Sequence, residues 1–423
     1  MKLLIQHGRV LDPVNRIDRL AQVCIADGVV VAVGTIPQGF VADRVLDATG
    51  KLVLPGLVDL AARLSPSSVP TNATIPAEIR AAFAGGVTSV VVPPDTVPVL
   101  DTVARVQSLL RQSHGLRLHP LGAMTSGLNG RAFTEMVALK LAGCVAFSQG
   151  LVPVQDTSVL LRALQYSKTF DYAMWFRPQD FWLSQGGVIA SGAYATRLGL
   201  QGIPAEAETI GLHTLLALQR ATGVRMHFCR LSCLESVAIV RSAKKEGLPV
   251  TCDVAANNLH LTDVDIGFYD SHFRLDPPLR GQRDRDALRG GLLDGTIDAV
   301  CSDHIALSDR DKDLPFAQAV PGSIGLELLL SLTLKWAQEA RIDWVDAFSR
   351  VTCGPAKILG AQAGSLSVGE SADLCLVDPE AYWLVGRDTL VGESVHTPFL
   401  GRELPGRVQT TVLRGEIVWE RTT

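Results

Sequence analysis

Eight short apolar, β-rich runs alternate with stretches of helical periodicity through the middle of this 423-residue chain, and this alternation limits the fold more than any other feature. The runs occupy residues 52–60, 87–92, 116–121, 144–147, 172–176, 224–228, 249–254 and 297–301. Between most of them apolar residues recur at i, i+3 and i+4, over 77–84, 102–110, 133–141, 159–167, 207–221 and 235–243. Near-continuous apolar strands separated by helices specify a parallel sheet buried on both faces. Eight such units over about 300 residues favour closure into a (β/α)8 barrel of the TIM type over an open sheet. Residues 263–295 carry no clear period and are expected to form a long loop over the barrel mouth.

The two ends read differently. Asp27-Gly28 separates the apolar runs 23–26 and 29–33, and Arg414-Gly415 separates 411–413 from 417–419. Both are hairpin signals. Two β segments at opposite ends are expected to pair. The architecture is then α/β: a small β-sandwich domain built from residues 1–53 and 364–423, and a barrel over 54–363. With 47% hydrophobic and 19% charged residues, the chain can bury a full core. Lys+Arg 39 against Asp+Glu 43 is too even for a nucleic-acid binder. The long apolar stretches are interrupted, for example by Glu327, so no membrane span is expected. Leu3 and Ile5 give the start a strand pattern rather than that of a secretion signal, and most of the eight scattered cysteines sit in apolar runs, as buried thiols do. A cytoplasmic location follows as the expectation.

In such barrels the chemistry sits at the C-terminal ends of the strands. Strand one runs into Ala61, Arg63 and Ser65, and strand two into Asp95. Strand four ends at Gln149-Gly150, strand five at Arg177, strand six at Arg230, and strand eight at Asp303-His304. Asp276 precedes a double proline in the irregular stretch. His227, Cys229, Cys233 and Cys301 invite a zinc reading, but His-x-Cys-x3-Cys is not a standard spacing, and core thiols are the expectation. Ser242-x-x-Lys245 falls on an apparent surface helix, and His260, His272 and His396 show no constellation.

Several ordered strings resemble the dihydroorotase branch of the metal-dependent amidohydrolases over essentially the whole length. They are PGLVDL at 55–60, AAFAGGVTSVV at 81–91, RLGLQGIPAEAE at 197–208, DPPLR at 276–280, DGTIDAVCSDH at 294–304, GPAKILG at 354–360 and GSLSVGESADLCLVDP at 364–379. The resemblance implies a binuclear zinc site, and the sequence departs from it there. The family's His-x-His after strand one is Ala61 and Arg63. Its carboxylate after strand four is replaced at Gln149-Gly150, and its histidines after strands five and six are Arg177 and Arg230. Asp303 alone keeps the ligand type. The substrate-facing positions Ser65, Asp95 and Asp276 also differ from the pattern.

Alanine offers no donor atom, and a guanidinium has no free lone pair. The expectation is therefore that no metal or other cofactor is held at the mouth, and that Arg63, Arg177 and Arg230 form a salt-bridge network around Asp303. The resemblance further implies a non-catalytic subunit assembling with the aspartate carbamoyltransferase catalytic chain, with self-association through the barrel as a further possibility and neither nucleic acid nor membrane as a partner. Two alternatives stand beside it: a metal-poor cyclic amidohydrolase using Asp303, and an anion-sensing regulatory subunit using the three arginines.

Overall fold

The computed structural model describes residues 1–64 and 75–421. Its centre is a parallel barrel of eight strands taken in chain order: Leu57–Asp59, Val87–Val92, Arg117–Ala123, Ala146–Ser148, Met174–Phe176, Met226–Phe228, Val250–Ala255 and Ala299–Cys301. Each pairs in parallel with the next. The side-chain period of two sends Leu60, Val91, Leu121, Ala146, Trp175 and Ala299 inward as one buried cluster. The alternate residues Met174, Phe176, Met226, Phe228 and Val300 pack outward against the helices.

Strands eight and one are not hydrogen-bonded as neighbours within this sheet, and the seam between them is closed by other means. Asp59 accepts from the Ser302 backbone N–H at 2.8 Å and from the Ser302 hydroxyl. Just beyond, Ala62–Arg63 and His304–Ile305 form a short parallel pair. Burial pushes the Asp59 carboxyl up to about 6, against its hydrogen bonds to Ser302.

A second sheet of eight strands takes members from both ends of the chain. Leu52–Pro55 lies between Leu3–Asp12 and Leu374–Leu384, and Glu403–Leu413 and Glu416–Glu420 complete that edge. The apolar run 52–60 is thus two strands in two sheets. They meet at Gly56, where a Cβ would stand 2.2 Å from the Thr88 hydroxyl. Both hairpin turns have positive φ at their two central residues, Asp27 and Gly28 (52° and 80°), Arg414 and Gly415 (51° and 75°), as tight two-residue turns require.

The stretch 263–295 corrects its expectation. After two short 3-10 turns it forms the helix Gln282–Leu293, which buries Leu288, Gly291 and Leu292. Four charged residues at 283–286 and the Gly290-Gly291 pair hid the period. No helix among the described residues is long and apolar enough to cross a membrane.

Candidate active site at the barrel mouth

The strand ends converge on a compact set of ion pairs. Arg63 extends from strand one and binds Asp95 with two N–H donors, at 3.1 and 2.9 Å. Its remaining nitrogen lies 3.3 Å from Asp303 Oδ1. Arg230 Nη1 donates to the same oxygen at 2.6 Å. Arg177 grips both oxygens of Asp276 in a bidentate pair. The three arginine side chains are 4–7% exposed, so these pairs are largely withdrawn from solvent screening. Burial works to raise the Asp95 and Asp276 carboxyls, but Arg63 and Arg177 respectively hold both below the ordinary range. Burial likewise opposes the Arg230 charge, and Asp303 more than restores it.

The backbone is adapted to this arrangement. Gly150 (φ 65°) leaves room for Asp95, whose Cβ would lie 2.9 Å from an added Cβ, and the Leu151 N–H donates to Asp95 Oδ2 at 3.2 Å. Arg230 and Asp303 both take positive φ, 57° and 48°. Such conformations are uncommon for non-glycine residues, less so for Asp than for Arg, and gather at functional sites. Gln149 accepts from Thr125 at 2.9 Å, while its amide nitrogen is buried without a partner among the described residues. Ala61 is part of the barrel's inner cluster. Ser65 lies outside the described residues.

Two consequences are chemical. The mouth residues do not fit a pair of zinc ions: Ala61 has no donor, three positions carry guanidinium groups, and each nearby carboxylate is engaged by one of them. Both arginine bonds to Asp303 fall on Oδ1, which leaves Oδ2 without a partner among the described residues. Arg274 adds a fourth guanidinium beside Asp276; burial lowers its pKa, and it forms no ion pair among the described residues. A cleft of about 130 Å3 opens beside this cluster, lined by Gln149, Arg177, Asp180 and Trp182 among others.

His304 points away from the mouth. Its Nδ1 accepts from the Gly325 N–H at 3.1 Å, and its Nε2 lies 2.8 Å from buried Glu78. Asp303 and His304 therefore do not act as one pair. The lone histidines are corrected in part. His396 Nε2 is 2.9 Å from Asp309, its Nδ1 is 3.3 Å from His272, and His272 is 2.9 Å from Asp270. Cys233 turns to Ser236 and Glu208, and all eight cysteines are free.

The inside of the barrel holds a group that sequence reasoning divided. His227, Cys229 and Asp253 place one donor atom each within 4.8 Å of one another. The unread signal is Asp253, like Asp59 a carboxylate in the middle of an apolar strand run.

Comparison with known proteins agrees with this fold. The family described as dihydro-orotase-like matches residues 50–236, and the amidohydrolase family matches 186–418. A dihydroorotase-like protein of Pseudomonas aeruginosa is 40% identical over 99% of this chain and 100% of its own length. A dihydroorotase of Citrifermentans bemidjiense is 38% identical, with the same coverage. The L-hydantoinase of Arthrobacter aurescens shares the fold with a TM-score of 0.86 at 23% identity, covering 100% of this chain and 96% of that one. These likenesses overturn the expectation that the chain is not an enzyme: full-length relatives carry the name dihydroorotase, and His227, Cys229 and Asp253 form a group that could hold a metal ion. Removing metal ligands from one position is not removing all chemistry.

Proposed function

The chain belongs to the dihydroorotase-like branch of the amidohydrolase family, and from that premise we propose that it opens or closes a cyclic amide at the barrel mouth, with Asp303 as the base. The observation that carries this reading is the asymmetry of Asp303: Oδ1 is fixed by Arg63 and Arg230, and Oδ2 has no partner among the described residues. A positioned carboxylate with one uncommitted oxygen can take a proton from water as the water oxygen bonds to the ring carbonyl carbon. The same oxygen returns the proton to the amide nitrogen as the C–N bond breaks. Arg274 supplies a cation for an acidic substituent on the ring. The anion-sensing alternative is weaker, because Arg63, Arg177 and Arg230 are already matched by Asp95, Asp276 and Asp303. The test is turnover of dihydroorotate, dihydrouracil and hydantoin by the full chain. Loss of activity on replacing Asp303 with Asn, with the fold retained, supports the reading; equal rates in both proteins would refute it.

Association with the aspartate carbamoyltransferase catalytic chain, or with further copies of this one, belongs to the same proposal. Val264 and Phe268 support a contact surface, being 62% and 89% exposed on the loop after strand seven. Co-expression should give a stoichiometric complex on gel filtration, and clean separation at micromolar concentration counts against it.

A further inference from the structure

The donors inside the barrel lie below the mouth, and their geometry is independent of how the mouth is used. His227 and Cys229 stand two residues apart on one face of strand six and its end, and Asp253 faces them from strand seven. His227 Nε2 is 3.0 Å from Asp253 Oδ2, and its Nδ1 is 2.9 Å from the Thr251 hydroxyl. The thiol of Cys301 lies 3.7 Å from the other Asp253 oxygen. We propose that His227, Cys229 and Asp253 form a binding site for a single zinc-type divalent cation that clamps strands six and seven.

Four observations support it. The donor set is imidazole, thiolate and carboxylate, which suits zinc. Bond lengths of about 2.0–2.3 Å at tetrahedral angles put ligand atoms about 3.4–3.7 Å apart. The His227–Asp253 separation then has to open by only a few tenths of an ångström on that same scale. The Thr251 hydroxyl can donate or accept, so it satisfies His227 with Nε2 protonated toward Asp253 and equally with Nε2 free to coordinate. This is the outer hydrogen bond that metal-binding histidines commonly carry. A cavity of about 440 Å3 enters from the opposite end of the barrel, between the starts of strands five to eight, and reaches Trp175, His227 and Thr251. It gives solvent a path to the His227 side of the group.

Charge balance agrees. The Asp253 carboxylate and a Cys229 thiolate neutralise a divalent ion. A cysteine binds metal as its thiolate, so binding releases the thiol proton.

The experiment uses the full chain, stripped with chelator and titrated with Co2+ and then Zn2+. The expected result is one ion per chain, a tetrahedral cobalt spectrum with a thiolate charge-transfer band, and bleaching of that band by zinc. Cys229→Ser should abolish the band and His227→Asn should lower metal content, whereas Cys353→Ser, a thiol remote from the group, should change neither. Absence of a stoichiometric ion, a cobalt spectrum without the thiolate band, or a band that survives Cys229→Ser each overturns the proposal. The wild-type titration stands even if a variant fails to fold. Because it reads metal content and not turnover, its failure is distinct from failure of the reading at the mouth.

Discussion

Asp303 is held by two buried arginines through a single oxygen, and its replacement by Asn separates charge from shape. Breaking a buried pair costs about 3–5 kcal/mol, so Asp303→Asn should lower the unfolding midpoint in urea. At temperatures where it stays folded, kcat for the cyclic amide should fall about 10²–10⁴-fold if the carboxylate is the base. Arg274→Ala should instead raise KM for an acidic ring with a smaller effect on kcat, measured in the same assay. The pH dependence has a fixed sign. Asp95 and Asp276 are held below their ordinary pKa, so their stabilisation is fully present above about pH 4 and is lost as acid protonates them in the fold. Asp276→Asn should be less stable than the parent at pH 7 and closer to it at pH 3, by urea titration. At this scale the sequence was informative where residue type alone decides the chemistry: a guanidinium at Arg63, Arg177 and Arg230 rules out zinc ligation by those side chains whatever their surroundings. It was silent on partner choice. Nothing in the chain announces that Arg63 is shared between Asp95 and Asp303 while Arg177 takes Asp276, because the three carboxylates come from loops whose path is set by tertiary packing.

Elements set the next level of prediction, and the barrel seam is the clearest case. Asp59 is fully buried with its pKa raised to about 6. A raised carboxyl binds its proton in the fold when the unfolded chain has lost it, so stability falls as pH rises between about 4 and 6. The expected loss is on the order of 3 kcal/mol. Asp59→Asn can still accept from the Ser302 N–H and donate to its hydroxyl. It should remove that slope and match or exceed the parent at pH 7 by thermal melting across the range; an unchanged slope would show that Asp59 is not its source. Gly56→Ala should cost about 1–3 kcal/mol, since its Cβ would meet Thr88 at the switch between sheets. The eight strands and six of the helices were legible because their apolar spacing follows the local period. The helix Gln282–Leu293 was not, because Gly291 faces the core through the absence of a side chain, meeting Ile297 and Val237 closely.

At the scale of the molecule, the sheet that joins the two ends couples them mechanically. Leu52–Pro55 pairs on one side with Leu3–Asp12 and on the other with Leu374–Leu384. Arg117 reaches from the third barrel strand to Asp373 at 2.6 Å. Removing residues 403–421 should therefore destabilise the barrel as well as the sheet, visible in calorimetry as loss of the whole transition and not of a separate small peak. That the ends meet was readable from their matching hairpin signals; that one apolar run serves both sheets was not, because a switch at a single glycine leaves the hydrophobic pattern unbroken. The same pairing has a temporal side. During synthesis the flank of Leu52–Pro55 stays open until the strand beginning at Leu374 leaves the ribosome. At about 5–20 residues per second that interval is roughly 15–65 s. A nascent chain in that state presents a bare strand edge to its neighbours on the polysome, so its yield in the cell should hinge on chaperone capture more than on the stability of the finished protein.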